Sequence, residues 1–399
     1  MAKELIDATE LIVRPDTPIA AESIVEDNAP SVAVASQWKL MWWRFLKHKL
    51  AVVSLAIIII MYFVSFTAGF FAHQATDSYN RRYTQAPPQT IQWFDNGSFS
   101  PFVYGYKQAT DPKTLRRSYV VDEETKIPLG FFVQGDPYKI GLHGIPIPGI
   151  NSLAFSSNVH FFGPVTAGDP YYPFGADDVG RDIFSRLIYA SQVSLSVGLI
   201  SVFLSLGLGI LLGGLSGLIG GVVDNLIQRM IEVLRSIPDL PLWMAFAAAV
   251  PPRWDPIYVY FGITVILSLL GWTGMARVVR GRFLSLREED FIMAAELDAV
   301  PRSRMIFKHM LPSFMSHIIA SATLAIPGMI LGETALSFIG VGLRAPVVSW
   351  GVMLQDAMNI ANIALMPWLL VPGLAVMLTV LVFNFLGDGL RDAADPYHS

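Results

Sequence analysis

Apolar and polar positions follow one another along this chain in long blocks, not with the short periods of a soluble domain. Six apolar stretches recur, at about 51–71, 194–218, 257–275, 314–331 and 363–385, with a further one opening at Ile237-Pro-Asp-Leu-Pro241. Runs of about twenty such residues are what a helix needs to cross a bilayer. The first stretch carries no charge inside it. Ahead of it, Trp38 to Leu50 interleaves Trp with Lys and Arg, as expected of a helix lying at headgroup level. Residues 1–37 hold Glu4, Asp7, Glu10, Asp16, Glu22, Glu26 and Asp27 with scattered Pro, which predicts a disordered tail. The long interval 73–186 is polar but rich in aromatics, Pro and Gly. Asn96-Gly97 is a turn signal, and Ser118–Val121 and Gly130–Val133 suggest strands. A small β-rich domain is expected there.

Within the second stretch, Gly209, Gly213, Gly217 and Gly221 recur every fourth residue. This spacing places them on one helix face, where another backbone can approach closely. Pro238 and Pro241 loosen the start of the third, where bundle neighbours can satisfy the freed carbonyls.

Composition agrees with a membrane protein. The chain has 399 residues, 53% hydrophobic and 15% charged, with mean hydropathy +0.48, too apolar for an ordinary soluble protein. The net charge of -4 argues against a polyanion partner such as nucleic acid. With no cysteine, disulfides, thiolate metal sites and cysteine nucleophiles are excluded. The first residues are polar and acidic, unlike a cleavable signal peptide. Arg277, Arg280, Arg282, Arg287, Arg302, Arg304 and Lys308 crowd the polar loop after the fourth stretch, while Arg253 stands alone in the short turn before it. The positive-inside rule places that loop in the cytosol. Both termini then lie in the cytosol and 73–186 outside.

The polar loop contains Phe291 to Pro312, FIMAAELDAVPRSRMIFKHMLP. Acidic and basic residues alternate there, and Ala294, Ala295 and Ala299 keep one surface small. The stretch resembles the EAA loop of bacterial ABC importer permeases, with Ala294, Ala295, Ala299, His309, Leu311 and Pro312 at the matching positions. In that family the loop holds a coupling helix that docks into a groove on the ATPase. The resemblance assigns that role to Ala294, Ala295, Glu296, Asp298, Ala299, Val300, Pro301, His309 and Pro312. The family usually has Gly where this chain has Ala299, and Ala does not share the tolerance of Gly for positive φ. A docking role is therefore expected more firmly than any particular turn at 299.

Three further segments resemble the C-type subunits of oligopeptide and dipeptide permeases. The first is FGADDVGRDIFSRL at 174–187, an outer-face motif comprising Gly175, Asp177, Asp178, Gly180, Arg181, Asp182 and Arg186. Charges so close to lipid need pairing or headgroup contact, and with no His nearby a metal on Asp177 and Asp178 is not expected. The others are Glu333–Gly342 with Pro346–Gly351, and Asn384–Pro396.

The resemblance covers about 40–71 and 174–396. It implies an all-α membrane protein with six transmembrane helices in a MetI-like arrangement and a β-rich extracytoplasmic insertion between the first two. The domains are then a disordered cytosolic tail, 1–37; interfacial helix and first span, 38–72; extracytoplasmic domain, 73–186; permease core, 187–388, with the coupling loop at 279–312; and a cytosolic tail, 389–399. It also implies a second, B-type permease, two ABC ATPases that bind ATP and Mg, and an extracytoplasmic solute-binding protein, all at the bacterial inner membrane. Di- or oligopeptides are the expected cargo; oligosaccharides, opines and nickel chelates remain open. The external interval either contacts the binding protein or path, or caps the transporter without touching substrate.

Absent motifs separate the classes. There is no G-x-x-x-x-G-K-[ST], so no ATP site of its own is expected, and no H-E-x-x-H or G-x-S-x-G, so no catalytic residues are. Few ionisable residues lie in the spans and no internal repeat is visible, against a secondary carrier without ATPase.

Overall fold

The computed structural model describes residues 37–110, 117–139, 156–251, 253–301 and 304–394. The tail expected to be disordered falls almost wholly outside them. A short amphipathic helix α1 (Gln37–Lys47) leads into α2 (Lys49–Phe66) and a further turn α3 (Ala68–Phe71). After a β-sheet the chain continues as α4 (Ile183–Ile219), α5 (Gly221–Arg235), α6 (Asp239–Ala248), α7 (Pro256–Leu286) and α8 (Asp290–Leu297). It ends with α9 (Met315–Phe338), α10 (Trp350–Gln355) and α11 (Val371–Ala394).

Among the described residues, five helices are long and apolar enough to cross a membrane: α2, α4, α7, α9 and the last, Pro367–Ala394. Helix α4 has 37 residues, about 55 Å at 1.5 Å each against a hydrocarbon core of about 30 Å. Its N-terminal turns therefore project beyond the bilayer. Where a third span was expected, α6 has 10 residues, about 15 Å. Pro238, without an N–H, breaks the chain between α5 and α6, and Pro241 sits in the first turn of α6, where a missing donor costs little.

Helices α4 and α7 run parallel. Ser201 donates to the Thr264 carbonyl at 3.3 Å and Ser205 to that of Ser268 at 3.0 Å. Further along, a β-carbon on Gly209 would lie 2.7 Å from Met275 Cβ, on Gly213 2.5 Å from the Ala276 carbonyl oxygen, and on Gly217 2.7 Å from Phe283 Cβ. At these three glycines α4 and α7 approach closely. Gly221, grouped with them by spacing, lies instead beyond α4, in open space with φ +58°, and serves the turn into α5. The shared core gathers Leu195, Ile263, Leu267, Ile330, Leu336, Trp350 and Phe383.

Between α3 and α4 lies a four-stranded antiparallel sheet in the order β1 (Gln92–Asp95), β2 (Ser98–Thr110), β3 (Arg117–Lys139), β4 (Ser156–Pro164). Asn96 and Gly97, both at positive φ, turn β1 into β2, as Asn-Gly pairs do in two-residue hairpins. The long strand β3 contains both expected strand segments. Its first part pairs with β2, Val103 opposite Ile127, and its last part with β4, Phe131 opposite Phe162.

Candidate functional site

Two groups of residues singled out in the sequence become compact structures, at opposite ends of the bundle. The first is the knot where the sheet region meets α4. Asp177 is 1% exposed and accepts from the backbone N–H groups of Val179 and Arg181 at 3.0 and 2.9 Å and from Arg181 Nε at 2.6 Å. Gly180, at φ +88°, lies directly against the Asn80 carbonyl and leaves no room for a β-carbon. Gly175, at φ +80°, backs onto the Trp368 ring, whose Nε1 donates to the Ala176 carbonyl at 2.9 Å. Asp182 caps α4 by accepting from the N–H groups of Phe184 and Ser185 at 3.3 and 2.6 Å.

His73, just past the first span, locks onto this cap. Its Nε2 meets the Tyr171 carbonyl at 3.0 Å. A carbonyl only accepts, so in the neutral ring Nδ1 is the acceptor and Ser185 Oγ donates to it at 3.2 Å. Burial holds His73 below its ordinary pKa and raises Asp182 above the usual carboxylate range. Arg186 reaches back from α4 to the Thr76 carbonyl at 3.1 Å and stands 4.0 Å from Asp177. Asp177 and the exposed Asp178 come within 4.8 Å of a third carboxylate, Asp356, which the sequence did not bring to notice. Desolvation first, then Asp178 and Asp177, push the Asp356 carboxyl up to about 6.

The second group is the loop after α7. Ile292 and Ala295 of α8 turn into the protein, the latter 7% exposed. Ile292 packs in a cluster with Phe283, Met305, Met310 and Phe314. Phe291, Met293, Ala294 and Leu297 point out, Leu297 at 89% exposure. The helix ends at Leu297, so Ala295 and Ala299 do not share one helical side, and the small surface expected of Ala294, Ala295 and Ala299 is not a single face: Ala295 is buried, Ala294 and Ala299 exposed. Ala299 takes φ +53°, and the Val300 N–H returns to the Ala295 carbonyl at 3.1 Å. This is a Schellman end, normally made with glycine and made here with Ala299. Asp298, Ala299, Pro301 and Pro312 are exposed, and Val300 and His309 half-buried. Glu296 contributes backbone to α8, and Met305–Met310 form a π-turn.

The sequence reading missed one centre. Glu333 of α9 is fully buried and accepts from Ser194 of α4 at 3.1 Å and Ser337 at 2.8 Å. The Trp350 N–H donates to the same Ser194 hydroxyl at 3.1 Å. One carboxylate therefore ties α4, α9 and α10. An acidic residue in an otherwise apolar helix was the available signal.

The family of binding-protein-dependent transport system inner membrane components matches residues 209–397. A second family, the N-terminal TM domain of oligopeptide transport permease C, matches 36–88. The oligopeptide transport system permease protein OppC of Haemophilus influenzae is 39% identical over 228 residues, 57% of this chain and 70% of that protein. The chain belongs to this permease family. The dipeptide transport system permease protein DppC of Alkalihalophilus pseudofirmus is 42% identical over 224 residues, 56% of this chain and 71% of that protein. OppC of Escherichia coli is 39% identical over 229 residues, 56% and 72%. A solved methionine ABC transporter, MetNI, overlaps with a TM-score of 0.41 at 17% identity, covering 53% of this chain and 98% of that one, too loose to carry any statement. Members of this family are multi-pass membrane components without a catalytic centre of their own.

Proposed function

We propose that this permease takes up di- or oligopeptides as the C-type subunit of an ATP-driven importer. The observation that carries the reading is the 39–42% identity to oligopeptide and dipeptide permeases over more than two thirds of their length. In this reading a solute-binding protein delivers the peptide, and a B-type permease completes the path. Two ATPase subunits hold ATP and Mg. Helix α8 with its exposed Leu297 is the coupling element. When ATP closes the ATPases, α8 moves with them, and α7, continuous with the loop, transmits the motion to α4 through their glycine-lined contact.

The parallel course of α4 and α7 supports six passages. Two parallel spans require the chain between them to cross back once, and α6 with its flanking residues is the segment available. The sheet then lies outside the cell, with both termini and α8 in the cytosol. The Asp177–Arg181 knot seats the sheet on the projecting end of α4.

The test is co-expression of the tagged chain with an untagged B-type permease and ATPases, followed by reconstitution with the binding protein. ATPase co-purification and peptide-stimulated hydrolysis are expected. Uptake that persists without the ATPases would put the chain among secondary carriers instead. Because the protein has no cysteine, single cysteines report topology cleanly. Glu124→Cys should react with an impermeant maleimide from outside spheroplasts and Leu297→Cys should not.

A further inference from the structure

Aromatic rings run in an unbroken series from the first span onto the sheet. Phe63, in the last turns of α2, is 58% exposed, and its ring meets that of Phe71 edge-on at 6.2 Å. Phe71 and Phe70 in turn contact Phe161 of β4, at 5.6 and 5.8 Å. Phe161 also touches Phe131 and Phe132 of β3, at 5.7 and 6.1 Å. These rings do not fill a core: Phe131, Phe132 and Phe161 are 47%, 65% and 38% exposed.

The backbone is bent to make this series. Consecutive residues of a strand send their side chains to opposite faces. Phe132 has φ +56°, a left-handed conformation that crowds the β-carbon of a bulky residue. The break in alternation lets both Phe131 and Phe132 reach Phe161. Strain of this kind persists where the surroundings enforce it and often marks a functional surface.

We propose that this ridge is a lipid-facing foot, embedding the Phe132 end of the sheet in the bilayer leaflet at that end of α2. Three observations select lipid as the occupant. The ridge is continuous with a face of the span that is itself bare, where Ile59 and Ile60 are each 60% exposed. Phe71 lies five residues past the end of α2, about 7 Å along a helix, which keeps it within the headgroup layer that adds about 5–7 Å to each side of the hydrocarbon core. The rings are all phenylalanine, lacking the polar tip that Tyr and Trp keep wet, and no described cation–ring contact involves them. The inference requires only that α2 spans the membrane, and holds whatever the cargo. The foot limits how far the sheet can tilt and so sets the height at which the rest of it stands.

The test places one fluorophore at Phe132→Cys or at Glu124→Cys, in the full chain in phospholipid nanodiscs. Glu124 is a charged residue whose side chain is 89% exposed. A lipid carrying a shallow doxyl group should quench the probe at 132 several-fold more than aqueous iodide does, with the order reversed at 124. Iodide quenching at 132 equal to that at 124 overturns the proposal, because the ridge then stands in water. Shielding from both quenchers also overturns it, in favour of a covering protein. Phe161→Cys reads the same ridge from the other strand and gives an independent answer if the first variant folds poorly.

Discussion

Arg280 of α7 grips Asp224 of α5 with two parallel bonds, Nε to Oδ1 at 2.6 Å and Nη2 to Oδ2 at 2.5 Å. Ser216, near the end of α4, donates to the same carboxylate at 2.5 Å. Three helices meet on one acid, with 16% of its side chain exposed. The Arg280 bonds hold the Asp224 pKa below its ordinary 3.8. A lowered carboxylate pKa contributes stability that is full above the unfolded value and is lost as pH falls through the folded one. Asp224→Asn should therefore lower stability at pH 7 by about 1.5–3 kcal/mol, and the gap to wild type should close in acid. Arg280→Lys should lose part of this, since an ammonium cannot make the paired bonds. Thermal unfolding in detergent across pH measures both.

Gly213 sits where α4 touches the backbone of α7. Gly213→Val should push the helices apart and prevent recovery of monodisperse protein, because overpacking at a close contact costs about 1–3 kcal/mol or more. Gly207 faces open space, so Gly207→Ala should be recovered normally. Size-exclusion profiles of the two variants decide it; equal recovery would mean that the contact is not close.

Asp356 titrates in the opposite sense to Asp224. Its folded pKa of about 6 lies above the ordinary 3.8, so the folded state holds the proton more tightly. Its contribution to stability is full below 3.8 and is lost as pH rises through about 6. Asp356→Asn, which cannot ionise, should raise the melting temperature at pH 7.5 and leave it nearly unchanged at pH 4. A gain of the same size at both values would refute the assignment.

The loop after α7 predicts three different outcomes from three small changes. Ala299→Gly removes the β-carbon from a left-handed turn and should stabilise the loop by about 1 kcal/mol, seen as slower amide exchange at Val300. Leu297→Asp charges the most exposed apolar side chain of α8 and should reduce ATPase co-purification while leaving insertion intact. Ala295→Trp should harm the permease itself, because Ala295 faces inward. If Leu297→Asp retains the ATPase fully, α8 is not the docking element.

Hydropathy alone placed the five long helices, because a bilayer imposes length and composition on each span residue by residue. Asn96-Gly97 foretold its turn for a similar reason: the backbone preference is local. The outer motif and the EAA-like loop were legible as strings. Their faces were not. That Ile292 looks inward and Leu297 outward depends on where Met305 and Phe314 return to pack, and the left-handed turn at Ala299 comes with the Val300 bond to Ala295.

The sequence by itself determined a multi-pass chain with five long apolar segments and a charge asymmetry, since each of these is a property of a window of about twenty residues, and its motif strings carried the resemblance to a permease. Only the tertiary structure decided which charges meet. Asp356 lies far along the chain from Asp177 and Glu333 far from Ser194, and no local pattern encodes such a pairing. The gathering of Phe132 with Phe161 and Phe71 was likewise set by packing, which rewards contacts between distant segments and can hold a single residue in a conformation that its own preference opposes.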